Sequence, residues 1–62
     1  MKNEMEVLFA NLKNRQFVID AINKHGEEKI TKLFNRAWEF GHSDGDNSVK
    51  DWLMELIDVL DC

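Results

Sequence analysis

The segment SVKDWLMELIDVL, residues 48–60, carries the clearest secondary-structure signal in the chain. Its apolar residues recur at spacings of three and four, which predicts an amphipathic α-helix. Ser48 followed by Asp51 resembles a capping box, so we expect Ser48 to cap this helix. The predicted apolar face consists of Val49, Trp52, Leu53, Leu56, Ile57 and Leu60.

The residues before this segment also show helical spacing and predict helices over about 27–40, 15–24 and 3–12. Gly26 and Gly41 are expected to stop helices, and Asn3 to cap the first one. The apolar faces of the first two helices do not line up at 100° per residue, which predicts a bend near residues 13–14. One continuous helix with a broad apolar face remains the alternative.

The expected fold is therefore all-α, a single domain over residues 1–62 with three to four short helices. The last two should form a C-terminal antiparallel helical hairpin around Trp38 and Trp52. At 62 residues only about 60% of the unfolded surface can be buried. We therefore expect self-association, as a dimer, with the apolar side of the first helix at the interface: Met5, Leu8, Phe9 and Leu12.

Composition argues against several classes of site. The single cysteine, Cys62, cannot support a disulfide framework. With His25 and His42 it also lacks the spacing of a structural zinc site, so no cofactor is expected. Neither a signal peptide nor a membrane-spanning apolar run is recognisable. These features predict a cytoplasmic protein.

Charge is distributed unevenly along the chain, whose net charge is −4. Residues 39–62 hold seven acidic groups and one basic group. Asp51, Glu55 and Asp58 are spaced four and three apart and should share the outer side of the last helix. With Asp44 and Asp46 they form a candidate surface for a protein partner that carries basic groups, or a face that serves solubility.

A short basic patch on the third predicted helix offers a different interpretation. Lys29, Lys32 and Arg36 could contact nucleic-acid phosphates, as in a nucleic-acid-binding regulator. The acidic total charge argues against nucleic acid as a partner, and a solvated helix face is the commoner origin of such a patch.

The loop before the last helix has features of a calcium site and of a catalytic site, and neither pattern is complete. Residues 44–49, DGDNSV, resemble the middle of an EF-hand loop, but His42 and Leu53 would occupy end positions that require oxygen ligands. His25 and His42 have no recognisable nucleophile partner, so we expect no enzyme activity. His42 is expected to bond loop backbone, and His25 to lie at a helix C-terminus.

Residues 38–45, WEFGHSDG, and the apolar helix that ends in IDVL resemble a pattern in small tailed-bacteriophage proteins. The resemblance covers about residues 38–60 and implies that Gly41, His42 and Gly45 are a shared loop feature. It also implies a phage origin. The expected function is then a non-enzymatic accessory protein that binds and modulates a host protein in the host cytoplasm. A nucleic-acid-binding regulator and a self-associating structural protein are the alternatives.

Overall fold

The computed structural model describes residues 3–62, with the backbone but not the side chain of Asp46. The all-α prediction is confirmed, and residues 3–62 contain no strand. A single 3₁₀ turn, His42–Asp44, separates the last two helices. The four α-helices are α1 (Glu4–Leu12), α2 (Gln16–His25), α3 (Glu27–Gly41) and α4 (Asp46–Asp61).

The first two helices are separate, as the mismatch of their apolar faces predicted. Asn3 caps α1, because its Oδ1 accepts a hydrogen bond from the backbone N–H of Glu6 at 2.8 Å. After Leu12 the chain turns, and the N–H of Arg15 donates to the Leu12 carbonyl at 2.9 Å. The alternative of one continuous helix is therefore wrong.

Gly26 ends α2 and leads directly into α3, as predicted. Its φ of 99° lies in the region that side chains with a Cβ rarely adopt. Its N–H donates a hydrogen bond to the Ile22 carbonyl at 2.8 Å, so this carbonyl in the last turn of α2 has a partner. One glycine thus reverses the chain without a loop.

Gly41 serves a different purpose from the predicted helix stop. Its φ of −113° is accessible to any residue, and Gly41 is itself the buried last residue of α3. A Cβ at this position would lie 2.8 Å from the Val49 nitrogen and 2.9 Å from the Ser48 carbonyl carbon. Gly41 is therefore required by the close approach of the α3 and α4 backbones.

The start of α4 also differs from the prediction. The helix begins at Asp46, before Ser48, and its N-cap is Gly45, with φ 112°. The N–H of Ser48 donates to the Gly45 carbonyl at 3.1 Å, so Ser48 lies inside the first turn. The Ser48 capping box is wrong because Gly45 redirects the chain into the helix earlier.

The core joins all four helices around Phe34, which is 1% exposed. Phe9 of α1 stacks on Phe34 with ring centroids 4.4 Å apart. Leu12 is buried, and Met5, Leu8 and Phe9 pack against the core, so the apolar side of α1 lies within the chain's own fold. The other fully or nearly buried residues are Val18, Ala21, Ile30, Ala37, Val49, Leu53 and Ile57.

The predicted hairpin of α3 and α4 is present, but it does not enclose both tryptophans. Trp38 is half-buried against the core, whereas Trp52 is 39% exposed. Trp52 lies about 100° from Leu53 around α4, at the edge of the apolar face. The small hairpin core is filled by the smaller apolar residues, among them Leu53 and Val49, both 0% exposed. Within residues 3–62 no helix is long and apolar enough to cross a membrane.

Candidate protein-interaction site

The acidic face consists of Asp51, Glu55 and Asp58, and the structure brings these three residues together on the outer side of α4. All three side chains are exposed, while Leu53 and Ile57 on the opposite side of the helix are buried. Among the described residues, none of the three carboxylates takes part in an ion pair. The face therefore presents three negative charges to solvent.

Two further acidic residues were assigned to this surface from the sequence. Asp44 is exposed at the end of the 3₁₀ turn, just before α4. The side chain of Asp46 lies outside the part of the chain that the structure describes. The acidic face is therefore defined by the three carboxylates of α4: Asp51, Glu55 and Asp58.

Asp61 is held in a contact that joins the ends of α2 and α4. Its Oδ1 lies 2.5 Å from His25 Nε2 and 3.5 Å from Lys24 Nζ. The hydrogen bond from His25 is the largest effect and lowers the pKa of the Asp61 carboxyl below its ordinary value; desolvation opposes it, and the charge of Lys24 adds a smaller lowering. Sequence reasoning placed His25 at a helix C-terminus but missed this partner 36 residues away.

An exposed aromatic pair lies beside the acidic face. The rings of Phe40 and Trp52 are 5.0 Å apart, yet 49% of Phe40 and 39% of Trp52 remain exposed. Val59 follows Trp52 by two helical turns, lies on the same side of α4, and is 67% exposed. From the sequence, Trp52 was assigned to the core and Phe40 was not singled out. The spacing of seven residues between Trp52 and Val59, which places both on one side of α4, was a signal for this surface.

The basic patch lies on the solvent side of α3. Lys29, Lys32 and Arg36 are all exposed. In residues 3–62, the ion pairs that involve lysine are those of Lys13 with Glu27 and Lys24 with Asp61. The three side chains of the patch therefore present positive charge without a carboxylate partner among the described side chains.

His42 contacts the end of α3, as its expected bonding to backbone suggested. Its Nδ1–H donates to the Trp38 carbonyl at 2.7 Å, and the two rings stack with centroids 5.1 Å apart. The residues compared above with an EF-hand loop form part of the 3₁₀ turn and the first turn of α4. No three His, Cys, Asp or Glu side chains among those described converge as metal ligands.

These features define a small helical protein with acidic, aromatic and basic surfaces on its last two helices. The chain belongs to DUF8546, a family of unknown function, which matches residues 2–61. No curated protein and no solved structure matches the chain.

Proposed function

We propose that this protein is a non-enzymatic protein-binding module whose acidic face binds a partner with a basic surface. The observation that carries this proposal is the alignment of Asp51, Glu55 and Asp58, all exposed on one side of α4 and without an ion-pair partner among the described side chains. Exposed charge of one sign speeds association with a surface of the opposite sign. Asp44 extends the negative surface toward the 3₁₀ turn.

The resemblance of residues 38–60 to small tailed-bacteriophage proteins supports a more specific form of this proposal. In it, the protein is a phage accessory protein that binds and modulates a host protein in the host cytoplasm. A row of carboxylates offers a basic site the same charge that nucleic-acid phosphates offer. The partner is then a host protein whose basic site is blocked by competition with the acidic face.

The test compares two triple variants with matched loss of charge. In the acidic variant, Asp51→Asn, Glu55→Gln and Asp58→Asn remove three negative charges from exposed positions. Its helical circular dichroism should match that of the parent, because none of the three side chains is in the core. Partners would first be captured from host lysate and identified, and their association rates then measured at two salt concentrations.

The expected result is slower association of the acidic variant and a weaker dependence on salt. Exposed charges are screened over about 8 Å at physiological ionic strength, so the parent should lose association rate as salt is added. The matched control replaces Lys29, Lys32 and Arg36 by Gln and should associate as fast as the parent. An acidic variant that binds at the parental rate, alongside a basic variant that does not, would overturn the proposal.

A nucleic-acid-binding regulator is the second candidate, and the exposure of Lys29, Lys32 and Arg36 on one side of α3 favours it. The net charge of −4 opposes it, because phosphate contacts supply most of the affinity for nucleic acid. Retention of duplex DNA or RNA by the parent, lost in the basic variant and steeply dependent on salt, would establish this alternative.

A further inference from the structure

The edge where α3 and α4 meet carries two neighbouring rows of side chains. On α3, four residues recur at spacings of four, three and four, so they share one side of the helix: Lys29, Leu33, Arg36 and Phe40. On α4, Trp52, Leu56 and Val59 recur in the same way. The contact between Phe40 and Trp52, at 5.0 Å, shows that the two rows lie side by side. We call this surface the hairpin edge.

The hairpin edge leaves apolar side chains in water. Phe40, Trp52 and Val59 are 49%, 39% and 67% exposed, and three of the six large exposed apolar residues of the described chain are thus in these two rows. Leu33 and Leu56 belong to the same two rows and are only partly buried. An exposed apolar surface rimmed by charge is typical of an interaction site.

Basic and acidic side chains lie on opposite sides of the hairpin edge. Lys29 and Arg36 lie on its α3 side. Glu55 lies on its other side, because it follows Trp52 and Val59 around the circumference of α4. Arg36 precedes Phe40 by four residues and Glu55 follows Trp52 by three, so in antiparallel helices they lie about 6 Å and about 4.5 Å along the hairpin from the aromatic pair. Arg36 and Glu55 are therefore at the same level, on opposite sides of an apolar centre, and neither forms an ion pair within the described residues.

We propose that the hairpin edge is a homodimer interface whose twofold axis runs parallel to α3 and α4. A rotation about that axis exchanges left and right but keeps each residue at its level. Arg36 then faces the partner's Glu55, and Phe40 faces the partner's Trp52. A twofold axis across the helices would place the basic side of one copy on the basic side of the other, which like-charge repulsion disfavours.

A second copy of the chain fits this surface because basic, apolar and acidic groups are arranged in the complementary order. The interface would also cover the apolar area that this 62-residue chain cannot bury within its own core. On the apolar side of α1, where the sequence placed self-association, Leu12 is buried and Met5, Leu8 and Phe9 are partly buried against the core. The dimer does not depend on the proposed function, although Glu55 belongs to both surfaces.

Two single charge reversals test the interface. Arg36→Glu places a carboxylate against the partner's Glu55, and Glu55→Arg places a guanidinium against the partner's Arg36. Each reversal is repeated by symmetry, so each variant alone should dimerise about tenfold or more weakly than the parent. The parent should sediment as a dimer at high micromolar concentration, and circular dichroism would check that both variants keep the parental helix content.

The decisive sample is an equimolar mixture of the two variants. In the mixed dimer, the carboxylate introduced at position 36 of one chain faces the guanidinium introduced at position 55 of the other. The second contact keeps the parental pair of Arg36 and Glu55, so both contacts are attractive. The mixture should sediment as a dimer at concentrations where each variant alone is monomeric. Control reversals at exposed positions outside the hairpin edge, Arg15→Glu and Glu39→Arg, should leave the parental dimer unchanged.

Three outcomes would overturn the proposal: a monomeric parent at high micromolar concentration, single variants that dimerise like the parent, or a mixture that stays monomeric. Because Glu55 belongs to both surfaces, the acidic face is tested apart from the dimer by the double variant Asp51→Asn, Asp58→Asn, which keeps Arg36 and Glu55 and should sediment like the parent but associate more slowly with the captured partner. Failure of the dimer can therefore be distinguished from failure of the proposed function.

Discussion

Replacement of Gly41 by alanine separates two physical effects that act in opposite directions. If Gly41 mattered only as a residue within a helix, alanine would stabilise the protein by about 1 kcal/mol, the difference in helix propensity. The structure predicts the opposite sign. The added Cβ would lie 2.8 Å from the Val49 nitrogen, 2.9 Å from the Ser48 carbonyl carbon and 3.0 Å from the Ser48 oxygen.

The magnitude follows from the kind of atoms that the new methyl group meets. All three are backbone atoms, so no side chain can rotate away, and α3 and α4 must separate. Inserting a methyl group into a close-packed site costs about 1–3 kcal/mol. We expect a value near the upper end, and a net loss of about 1–2 kcal/mol after the gain in propensity. A chain of 62 residues has roughly 3–9 kcal/mol of stability in total.

The assay is thermal and urea unfolding of parent and Gly41→Ala at one protein concentration, followed by circular dichroism. The expected fall in Tm is about 4–16 °C, from the usual relation for small domains. Tryptophan fluorescence should also change, because separation of the hairpin disturbs the contact of Phe40 with Trp52. Asn35→Ala, exposed on the same helix, is the matched control and should be neutral or slightly stabilising.

A Gly41→Ala variant as stable as the parent, or more stable, would contradict this prediction. It would mean that the close approach of the two backbones is not maintained in solution. The hairpin edge would then lose its register, because the contact of Gly41 with Val49 and Ser48 aligns α3 with α4.

Three further predictions concern the core, the first cap and the ends of α2 and α4. Phe34→Ala should cost about 3–5 kcal/mol, since Phe34 is 1% exposed and stacks on Phe9; a cooperative urea transition at the parental midpoint would contradict this. Asn3→Ala should lower the free energy of unfolding by about 0.5–2 kcal/mol through loss of the bond to Glu6, and an unchanged value in urea titration would show that the cap contributes nothing. Asp61 has a lowered pKa, so its contribution to stability is present above the ordinary aspartate value of about 3.9 and is lost as pH falls through the lowered pKa. Asp61→Asn should therefore be less stable than the parent at about pH 5–6, and the difference should vanish at strongly acidic pH; a difference independent of pH would argue against the contact with His25.

The helical elements of this protein can be predicted from local sequence patterns. The helical type of the elements, the break after Leu12 and the end of α2 at Gly26 follow from local properties: the period of apolar residues, a capping side chain, and a glycine that can adopt positive φ. The acidic face could also be predicted from the sequence, because residues spaced three and four apart share a side of any α-helix. Each of these features involves residues within about one or two helical turns.

Which residues of different helices meet depends on how the helices pack together. Gly41 is needed because α4 passes close to it, Trp52 is exposed because smaller residues fill the hairpin core, and Asp61 binds His25 across the ends of two helices. A single helix pattern cannot predict such contacts, since they depend on the register and crossing of packed helices. The hairpin edge arises in the same way, because its basic and acidic sides come from different helices that the packing brings together.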